Sequence, residues 1–508
     1  MSNESSSVFA KLFASGGVIF LGLAFNFGLG FAGRLVIARF VGKVAYGAVS
    51  LGVTLMVASS TLILLGTHNG ISRYLPRYDD PQQRRGVLLS AYSLVIPLSI
   101  AVGGCVFFFA EEIATSAFGD RTIAPVLAVF GLIIPLATLV KLTIGSIRGM
   151  QESLPRVYIK NISLPVVRFG LIAVAVAAGL GSYGIAWAYA GAYAVAVVLS
   201  LYYLVKHTVL FKRIKAASMH RELLLFSLPL MITAAMDLIL SNFDTFMIGY
   251  FDTTAAVGVY NVAYPLANLL TIFLTAFNFV FMPMMSEYHA NERYQEIVRS
   301  YQVVSKWIFL LTLPVFLLFT FYPHLIIQST FGAEYLTGST ALSILTVGFF
   351  LHTIAGPNGN VLMSLGRSRL IMYNTLLVAA VNVALNIVLI PRYSLVGAAI
   401  ATTVGYALLN SLYLFQLHTE LHAHPFRAAI LRPGLLAVLL WIALYLTVSA
   451  ATVVRPLVLI PVLVVFLPLY LVIVLRYGGV EQEELKLVEQ VEDRLDINLG
   501  FIRRLAQE

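Results

Sequence analysis

Leu228–Phe251 reads LPLMITAAMDLILSNFDTFMIGYF, and this stretch decides what kind of fold the chain has. It is 24 residues of mostly apolar sequence, and about 20 such residues are enough for a helix to cross a bilayer. It nevertheless contains two aspartates, Asp237 and Asp244. A carboxylate at the bilayer centre costs roughly 2.5–3.5 kcal/mol on insertion scales, so acidic residues in membrane helices usually face a polar cavity or an ion path. The stretch predicts a membrane helix with a functional polar face.

The composition extends this prediction to the whole chain. Of its 508 residues, 59% are hydrophobic and 11% are charged, whereas soluble domains average about 25% charged residues. The net charge of +9 comes from basic residues that lie between hydrophobic segments. Membrane topology explains that pattern, so nucleic-acid binding is not predicted. The sequence contains neither a P-loop nor an H-E-x-x-H motif, so no nucleotide, metal or other cofactor is predicted.

A window of membrane-spanning length finds fourteen candidate helices. The predicted spans are 13–38, 47–67, 86–108, 123–146, 161–180, 184–205, 224–249, 257–282, 303–322, 338–363, 371–390, 396–417, 430–450 and 456–475.

The distribution of basic residues predicts the orientation. With a cytoplasmic N-terminus, 25 of the 33 Lys and Arg residues fall in cytoplasmic segments and 5 fall in outer loops. This bias predicts a multi-pass protein of the cell membrane with both termini in the cytoplasm. The outer loops are all short, which counts against a membrane enzyme that would need an extramembrane domain for its chemistry.

An internal repeat divides the spans into two sets. IARFVGKVAYGAVS (Ile37–Ser50) aligns without a gap on IGYFDTTAAVGVYN (Ile248–Asn261), at an offset of 211 residues. YGIAWAYAGAY (Tyr183–Tyr193) aligns on VGAAIATTVGY (Val396–Tyr406), at an offset of 213. Because six spans separate the two copies, both copies enter the membrane from the same side. The pattern predicts parallel repeats with a binding site between them near the membrane midplane.

The predicted fold is an all-α polytopic membrane protein of about 14 transmembrane helices, with two pseudo-symmetric six-helix lobes and two additional C-terminal helices. The predicted divisions are an N-terminal lobe 1–215, a C-terminal lobe 216–425, two transmembrane helices in 426–476, and an amphipathic cytoplasmic tail 477–508.

Several segments are typical of a known family, and the most specific of them is NVALNIVLIPRYSLVGAAIATT (Asn382–Thr403). In it an Asn-rich helix ends at Ile-Pro, and the chain turns and enters a Gly-Ala-Ala helix. Further segments are IARFVGKVAYGAVSLGV (Ile37–Val53), GISRYLPRY (Gly70–Tyr78), FDTFMIGYF with VGVYNVAYPLA (Phe243–Ala267) and FGAEY (Phe331–Tyr335). Together they resemble the polysaccharide-flippase branch of the multidrug/oligosaccharidyl-lipid/polysaccharide exporter superfamily. One departure is Ser394, where many members of that branch carry Gly. The Arg-Tyr-Leu-Pro-Arg segment and the aspartate-bearing span are most similar to archaeal members.

The resemblance implies a transporter that works by alternating access, not an enzyme. Its cargo would be an oligosaccharide linked to dolichol or undecaprenyl phosphate, flipped from the cytoplasmic to the outer face. In an archaeon the glycan would serve protein N-glycosylation, often of the S-layer; in a bacterium it would serve O-antigen or exopolysaccharide. The implied partners are the lipid-linked oligosaccharide, membrane lipids, and glycosyltransferases and the oligosaccharyltransferase of the same pathway.

Three basic residues fall within predicted spans: Arg34, Lys141 and Arg168. We hypothesise that they bind the phosphate or acidic sugars of the cargo, because cationic side chains replace the water that a phosphate loses. In the alternative, Lys141 and Arg168 extend toward the cytoplasm or pair with the aspartates.

Polar residues in related spans provide further candidates. Asp237 and Asp244 are seven residues apart, share a helix face, and are candidates for binding a coupling Na⁺ or H⁺; a structural polar pair is the alternative. Four asparagines are candidates for hydrogen bonds to sugar hydroxyls: Asn26, Asn242, Asn261 and Asn268. Hydrogen bonding between helices is the alternative role. Arg73 and Arg77 are expected at the cytoplasmic mouth, where they either anchor the topology or recruit lipid head groups.

Two other functions remain open at this stage. A drug/cation antiporter of the same superfamily would share the helix number and the repeat. A membrane glycan polymerase or ligase is the more distant alternative, and the short outer loops argue against it.

Overall fold

The computed structural model describes residues 25–152, 154–425, 428–451 and 456–477. This part of the chain is helical apart from short turns and one longer connection, residues 208–219, and no β-strand occurs in it. Twelve helices within it are long and apolar enough, by length and composition, to cross a membrane. The predicted all-α polytopic membrane fold is confirmed.

The helices follow one another with short connections. The first, α1, covers residues 25–41. It is followed by α2 (Lys43–Ile63), α3 (Thr67–Tyr74), α4 (Pro81–Phe108), α5 (Ala110–Phe118), α6 (Ala124–Gly149), α7 (Leu154–Ala177), α8 (Gly181–His207) and α9 (His220–Phe251). The remainder are α10 (Thr254–Asn268), α11 (Ile272–Ala290), α12 (Tyr294–Phe321), α13 (Pro323–Thr330), α14 (Ser339–Ile354), α15 (Asn358–Ser364), α16 (Ser368–Leu421), α17 (Ala428–Ala451) and α18 (Leu459–Tyr477).

The number of fourteen spans stays a prediction. The predicted spans 371–390 and 396–417 both belong to α16, a helix of 54 residues that bends at Ser394. The predicted span 13–38 is described only from residue 25 onward, and the predicted tail 477–508 lies outside the described residues from 478.

Local sequence explains several helix boundaries. Gly42 separates α1 from α2 with φ of 88°, a left-handed conformation that glycine adopts without a steric penalty. Asp80 begins α4, because its carboxylate accepts a hydrogen bond from the backbone N–H of Gln82 at 3.0 Å and Pro81 occupies the first helical position. At the bend of α16, the hydroxyl of Ser394 donates a hydrogen bond to the carboxylate of Asp252.

The described residues pack into two units. The first contains the residues up to Val262 together with Thr375–Ala401, and the second contains Ala263–Asn374 together with the residues from Thr402 onward. The predicted lobes 1–215 and 216–425, with the additional helices 426–476, are divisions of the repeat and remain a proposal.

In the first unit, α6 is the central helix, and α2, α3, α4 and α8 pack against it. A glycine in α2 makes this packing close, because a Cβ atom on Gly52 would lie 2.1 Å from the ring of Phe130 in α6. The same ring lies 5.5 Å from the ring of Tyr189 in α8. Phe130 therefore fills the notch at Gly52 and fixes the position of Tyr189.

Also in the first unit, α2 crosses α10 at a pair of glycines. A Cβ atom on Gly47 would lie 1.9 Å from the carbonyl oxygen of Thr254, and one on Gly258 would lie 2.0 Å from the carbonyl oxygen of Lys43. Gly47 corresponds to Gly258 in the sequence repeat, and Lys43 corresponds to Thr254, both at the offset of 211. Repeat-related segments therefore meet in a reciprocal, locally two-fold contact.

In the second unit, aromatic side chains attach α17 and α18 to α12. The rings of Trp441 and Phe466 lie 4.8 Å apart, and Tyr322 at the end of α12 lies 6.0 Å from Trp441. The hydroxyl of Tyr470 in α18 donates a 2.6 Å hydrogen bond to the carbonyl oxygen of Leu310. Since Trp441 is completely buried, these two helices are an integral part of the unit.

Candidate functional site

Asp244 lies at the centre of a buried polar network in the first unit. Its side chain is buried, with the residue 3% exposed, and one carboxylate oxygen accepts a 2.7 Å hydrogen bond from the hydroxyl of Tyr260. The other oxygen accepts a 2.7 Å hydrogen bond from the amide of Asn386. The same amide nitrogen lies 3.1 Å from the side-chain oxygen of Asn382. Helices α9, α10 and α16 thus converge on one carboxylate.

The network contains an acceptor without a donor. The side-chain oxygen of Asn386 is buried and accepts no hydrogen bond within the described part of the chain. A buried amide oxygen usually has a partner, and carboxylate and amide oxygens are the ligands preferred by hard cations. No group of three or more His, Cys, Asp and Glu side chains suitable for a metal ion occurs among the described residues. The arrangement is therefore limited to one carboxylate with amide oxygens, which suits a monovalent cation or a proton.

Asp237 has different surroundings from Asp244, although seven residues place them on the same helix face. Asp237 is exposed, and its backbone oxygen accepts a hydrogen bond from the hydroxyl of Ser241 at 2.7 Å. Tyr260 and Asn386 donate their hydrogen bonds to the carboxylate of Asp244. The two predicted ion-coupling residues do not form a joint carboxylate pair.

Arg34 and Arg168 lie near two neighbouring tyrosines, Tyr46 and Tyr189. The guanidinium of Arg168 lies 5.4 Å from the ring centroid of Tyr189, and Tyr46 lies within electrostatic range of both Arg34 and Tyr189. A Cβ atom on Gly30, one turn before Arg34, would lie 3.9 Å from an Nη atom of Arg168. The structure therefore brings these two predicted arginines together in what we call the arginine–tyrosine cluster: Arg34, Arg168, Tyr46 and Tyr189.

The two arginines of the arginine–tyrosine cluster have no carboxylate partner among the residues that the structure describes. Arg168 therefore does not pair with Asp237 or Asp244. Arg34 is exposed and Arg168 is half-buried. Two guanidinium groups without a carboxylate partner in this part of the chain are suited to binding phosphate, which arginine holds through paired N–H donors.

Lys141 is held by α2. Its ammonium donates hydrogen bonds to the hydroxyls of Ser60 at 2.8 Å and Thr61 at 2.9 Å. Both hydroxyls in turn donate to the carbonyl oxygen of Val57, so their lone pairs face the ammonium. Lys141 therefore does not pair with the aspartates, and its extension toward the cytoplasm and its contact with the substrate stay predictions.

The four predicted sugar-binding asparagines have mostly local or interhelical contacts. The amide of Asn26 donates to the carbonyl oxygen of Lys160 at 2.9 Å, and the amide of Asn261 donates to the hydroxyl of Thr245 at 3.2 Å. The amide of Asn242 donates to Ser241, and the side-chain oxygen of Asn268 accepts from Thr271. Each of the four side chains thus has at least one contact within the protein, and their role in sugar binding stays a prediction.

Arg73 and Arg77 lie beside aromatic rings near the end of α3. Arg73 stacks on Phe226, 4.1 Å from the ring centroid, and Arg77 lies 5.9 Å from the centroid of Tyr74. Both arginines are exposed. The contacts fix the positions of the charges while leaving them accessible to an anionic group.

Sequence reasoning missed Asn382, Asn386 and Tyr260. The two asparagines were visible in the NVALN motif at a spacing of four residues, which places them on one helix face. Their proximity to Asp244 depends on the packing of α16 against α9, which no local pattern encodes.

The sequence profile of the polysaccharide biosynthesis protein family matches residues 12–289, more than half of the chain. The chain belongs to this family. A second profile, MatE, matches residues 229–388. The membership predicted from the sequence, in the polysaccharide and lipid-linked flippase part of the multidrug/oligosaccharidyl-lipid/polysaccharide superfamily, is confirmed.

Three relatives have recognisable sequence similarity. The chain is 27% identical over 418 residues to stage V sporulation protein B of Bacillus subtilis, covering 76% of this chain and 79% of that protein. It is 29% identical over 184 residues to the probable low-salt glycan biosynthesis flippase Agl15 of Haloferax volcanii, covering 36% of each protein. It is 30% identical over 213 residues to an uncharacterised membrane protein of Methanocaldococcus jannaschii, covering 42% of this chain and 41% of that protein. The alignments with the two archaeal relatives thus span less than half of their length.

The fold is similar to that of a solved transporter structure. The lipid II flippase MurJ in an inward closed conformation superposes with a TM-score of 0.76 at 15% identity, covering 90% of this chain and 98% of that one. This likeness supports the polytopic fold. The prediction of a transporter rather than a catalytic enzyme is confirmed by the relatives taken together.

Proposed function

We propose that the protein is a flippase that moves a polyprenyl-phosphate-linked oligosaccharide across the cytoplasmic membrane by alternating access. The arginine–tyrosine cluster is the observation that carries this proposal. Arg34 and Arg168 provide two permanent positive charges on membrane helices without a carboxylate partner in the described residues. Membership of the polysaccharide biosynthesis family supports it, as does similarity to a relative named as a glycan biosynthesis flippase.

The proposed mechanism follows from the cost of moving a phosphate through hydrocarbon. An isolated charge is strongly disfavoured there unless it is paired and hydrogen-bonded. The guanidinium groups of Arg34 and Arg168 would replace the water around the phosphate with charge-assisted hydrogen bonds. The hydroxyl of Tyr46 donates a 3.0 Å hydrogen bond to the carbonyl oxygen of Asn261, so it could only accept from a sugar hydroxyl, whereas the hydroxyl of Tyr189 could donate or accept. The lipid tail would remain in the bilayer while the head group passes.

Asp244 is the proposed coupling residue. Its carboxylate, the side-chain oxygen of Asn382 and the unpaired side-chain oxygen of Asn386 could ligate Na⁺, or the carboxylate could take up a proton. Because α9, α10 and α16 meet there, cation binding would change the packing of three helices at once. Asp237, which is exposed and lacks these neighbours, is the second candidate from the sequence.

The finer assignments rest on the sequence. The bias of basic residues supports cytoplasmic termini and a location in the cell membrane. The sequence resemblance leaves two glycans as proposals: a dolichol-linked one for protein glycosylation, including the S-layer, or an undecaprenyl-linked one. Glycosyltransferases and the oligosaccharyltransferase of the pathway are the proposed partners.

Loss of the gene tests the proposal. In a deletion strain, we expect the lipid-linked oligosaccharide to accumulate in the cytoplasmic leaflet. A glycosidase added to intact spheroplasts should leave it uncleaved, whereas the same enzyme should cleave it in inside-out vesicles, as measured by mass spectrometry. If the accumulated glycolipid is already cleaved in spheroplasts, the protein acts after translocation and the proposal is wrong.

A drug/cation antiporter is the second candidate. The MatE profile over residues 229–388 and the buried carboxylate of Asp244 favour it. A deletion strain with unchanged lipid-linked glycans but increased sensitivity to organic cations would support the antiporter over the flippase.

A further inference from the structure

A second group of basic residues lies on α3, α6 and α7 of the first unit. Lys141 and Arg148 lie on α6, Arg156 and Lys160 lie on α7, and His68 lies on α3. We call these five residues the basic ring. The two cation-bearing helices pack together at these positions, because Val140 and Ile147, next to Lys141 and Arg148, share one buried cluster with Ile159, next to Lys160.

Hydrogen bonds to neutral acceptors fix two members of the basic ring. Arg148 donates to the hydroxyl of Ser72 at 3.0 Å and to the side-chain oxygen of Asn69 at 2.9 Å. Lys141 is held in the same way by two hydroxyls of α2. The charges are therefore positioned by acceptors that do not neutralise them.

Close packing of α3 against α6 holds His68 in the basic ring. A Cβ atom on Gly145 would lie 2.7 Å from the carbonyl oxygen of His68. Burial and the neighbouring charges of Arg148 and Lys141 lower the pKa of His68 to about 4. At neutral pH the ring therefore contains four cations and one neutral imidazole, whose ring nitrogens offer a donor and an acceptor.

No acidic residue compensates the basic ring in the described part of the chain. The acidic residue nearest along the sequence, Glu152, is engaged by His207, whose Nδ1 lies 2.5 Å from the carboxylate. Like charges that approach one another without a counter-charge destabilise a structure. An anion bound at the ring would remove this repulsion.

The backbone at the basic ring departs from the ordinary α-helix. Val157–Ser163, which carries Lys160, is π-helical, and short π-helical segments frequently occur at functional sites. The side chain of Asn26 donates to the carbonyl oxygen of Lys160. This bond connects the π-helical segment to α1, the helix that carries Arg34.

Topological anchoring alone would need only exposed basic residues at a membrane boundary. Lys212 and Arg213, which are exposed in the connection between α8 and α9, fit that simpler role. The basic ring differs from such residues in three ways. Its members come together from three helices, neutral acceptors orient its charges, and a hydrogen bond connects it to α1.

We propose that the basic ring is a second binding site for the phosphate or diphosphate group of the lipid-linked substrate, separate from the arginine–tyrosine cluster. This inference rests on the proposed flippase function. The ligand chemistry is a phosphate ester close to the membrane surface, which either the substrate or a bulk anionic phospholipid can supply. The substrate is the source to which the proposal commits, because four cations match the higher charge of a diphosphate.

Equilibrium binding to the purified full-length protein in a neutral detergent tests this proposal. The probes are undecaprenyl diphosphate, dolichyl diphosphate, undecaprenol and phosphatidylglycerol. The test variant is Arg156→Gln with Lys160→Gln, two exposed residues of the ring. The matched control is Lys212→Gln with Arg213→Gln, which removes the same charge from the same predicted side of the membrane. A third variant, Lys160→Arg alone, keeps the positive charge at this position. Thermal unfolding confirms that each variant is folded.

We expect the ring variant to bind undecaprenyl diphosphate about tenfold or more weakly, because each lost cation removes a charge-assisted hydrogen bond. The control variant and the Lys160→Arg variant should bind undecaprenyl diphosphate as the unchanged protein does. The affinity for undecaprenol, which has no phosphate, should be the same in all variants. Equal diphosphate binding by the ring and control variants would overturn the proposal. An equally large loss of phosphatidylglycerol binding would identify a general site for anionic lipids and overturn the proposal of a substrate-binding site. If the unchanged protein binds neither undecaprenyl diphosphate nor dolichyl diphosphate, the proposed flippase function fails with it.

Discussion

Gly47 of α2 and Gly258 of α10 are equivalent positions of the sequence repeat, and they pack against each other. A Cβ atom on either glycine would overlap a carbonyl oxygen of the facing helix, at 1.9 Å for Gly47 and 2.0 Å for Gly258. The facing residues, Thr254 and Lys43, are themselves related by the same offset of 211. A contact in which residue i meets j and j meets i indicates a local two-fold axis. The repeat is thus visible as geometry at this crossing.

The glycine crossing predicts a loss of stability on the smallest substitution. Gly47→Ala forces the two backbones apart, and overpacking of this kind costs about 1–3 kcal/mol. We expect a lower melting temperature in detergent. Gly104→Ala is the matched control, since a Cβ atom there has nothing within 4 Å and Ala is favoured over Gly in a helix by about 1 kcal/mol. A melting temperature of Gly47→Ala at or above that of the control would contradict the close contact.

Asp244→Asn is expected to uncouple transport from its driving ion. The substitution removes the charge while keeping a similar side-chain volume within the hydrogen-bonding network of Tyr260 and Asn386. We expect the response of flipping to an imposed Na⁺ or H⁺ gradient to disappear. Asp237→Asn is the comparison, because Asp237 is exposed and has no such neighbours. If Asp237→Asn alone abolishes the response, Asp237 is the coupling residue and the assignment to Asp244 is wrong.

Arg34→Ala should abolish glycan export while the protein remains folded, because an exposed arginine without an ion pair in the described residues contributes little to packing. Arg34→Lys should retain part of the activity, since an ammonium keeps the charge but loses the paired donors. Surface glycan profiles, normalised to the amount of protein in the membrane, measure both effects. Normal export by Arg34→Ala would remove Arg34 from the site.

Ser394→Gly and Ser394→Ala should change stability in opposite directions. Ser394 has φ of 52° and ψ of −133°, a conformation that costs a residue other than glycine about 1–3 kcal/mol. Its hydrogen bond to Asp252 contributes about 1 kcal/mol. Glycine relieves the strain and should raise the melting temperature slightly, whereas alanine keeps the strain, loses the bond and should lower it. Equal decreases for both variants would show that the bond dominates and the strain is small.

The sequence predicted the membrane class, the repeat and the presence of polar residues within membrane helices, because each depends on local composition or on internal comparison. The 24-residue stretch around Asp244 and the pairing of Gly47 with Gly258 are of this kind. The surroundings of each polar residue were not predictable in the same way. Asp237 and Asp244 have equivalent positions on one helix face, yet only Asp244 is covered, because Tyr260 and Asn386 arrive from α10 and α16.

The basic residues illustrate the same limit. Lys141 was expected to contact the substrate, extend toward the cytoplasm or pair with an aspartate, and its partners are Ser60 and Thr61. Hydroxyls are too common in membrane helices for their spacing to identify them as partners of a particular lysine. Arg34 and Arg168 are 134 positions apart in the sequence, and their proximity depends on the packing of α1 against α7.

Reconstituted translocation tests the central claim most directly. The purified protein is placed in liposomes containing an undecaprenyl-diphosphate-linked oligosaccharide in both leaflets, and a membrane-impermeant glycosidase is added outside. The account predicts that the cleaved fraction rises from the outer-leaflet share to nearly all of the glycolipid, and that the variant with Arg34→Ala and Arg168→Ala stays at the outer-leaflet share. Cleavage that stops at the outer-leaflet share with the unchanged protein, in liposomes where the same preparation transports organic cations, would contradict the account.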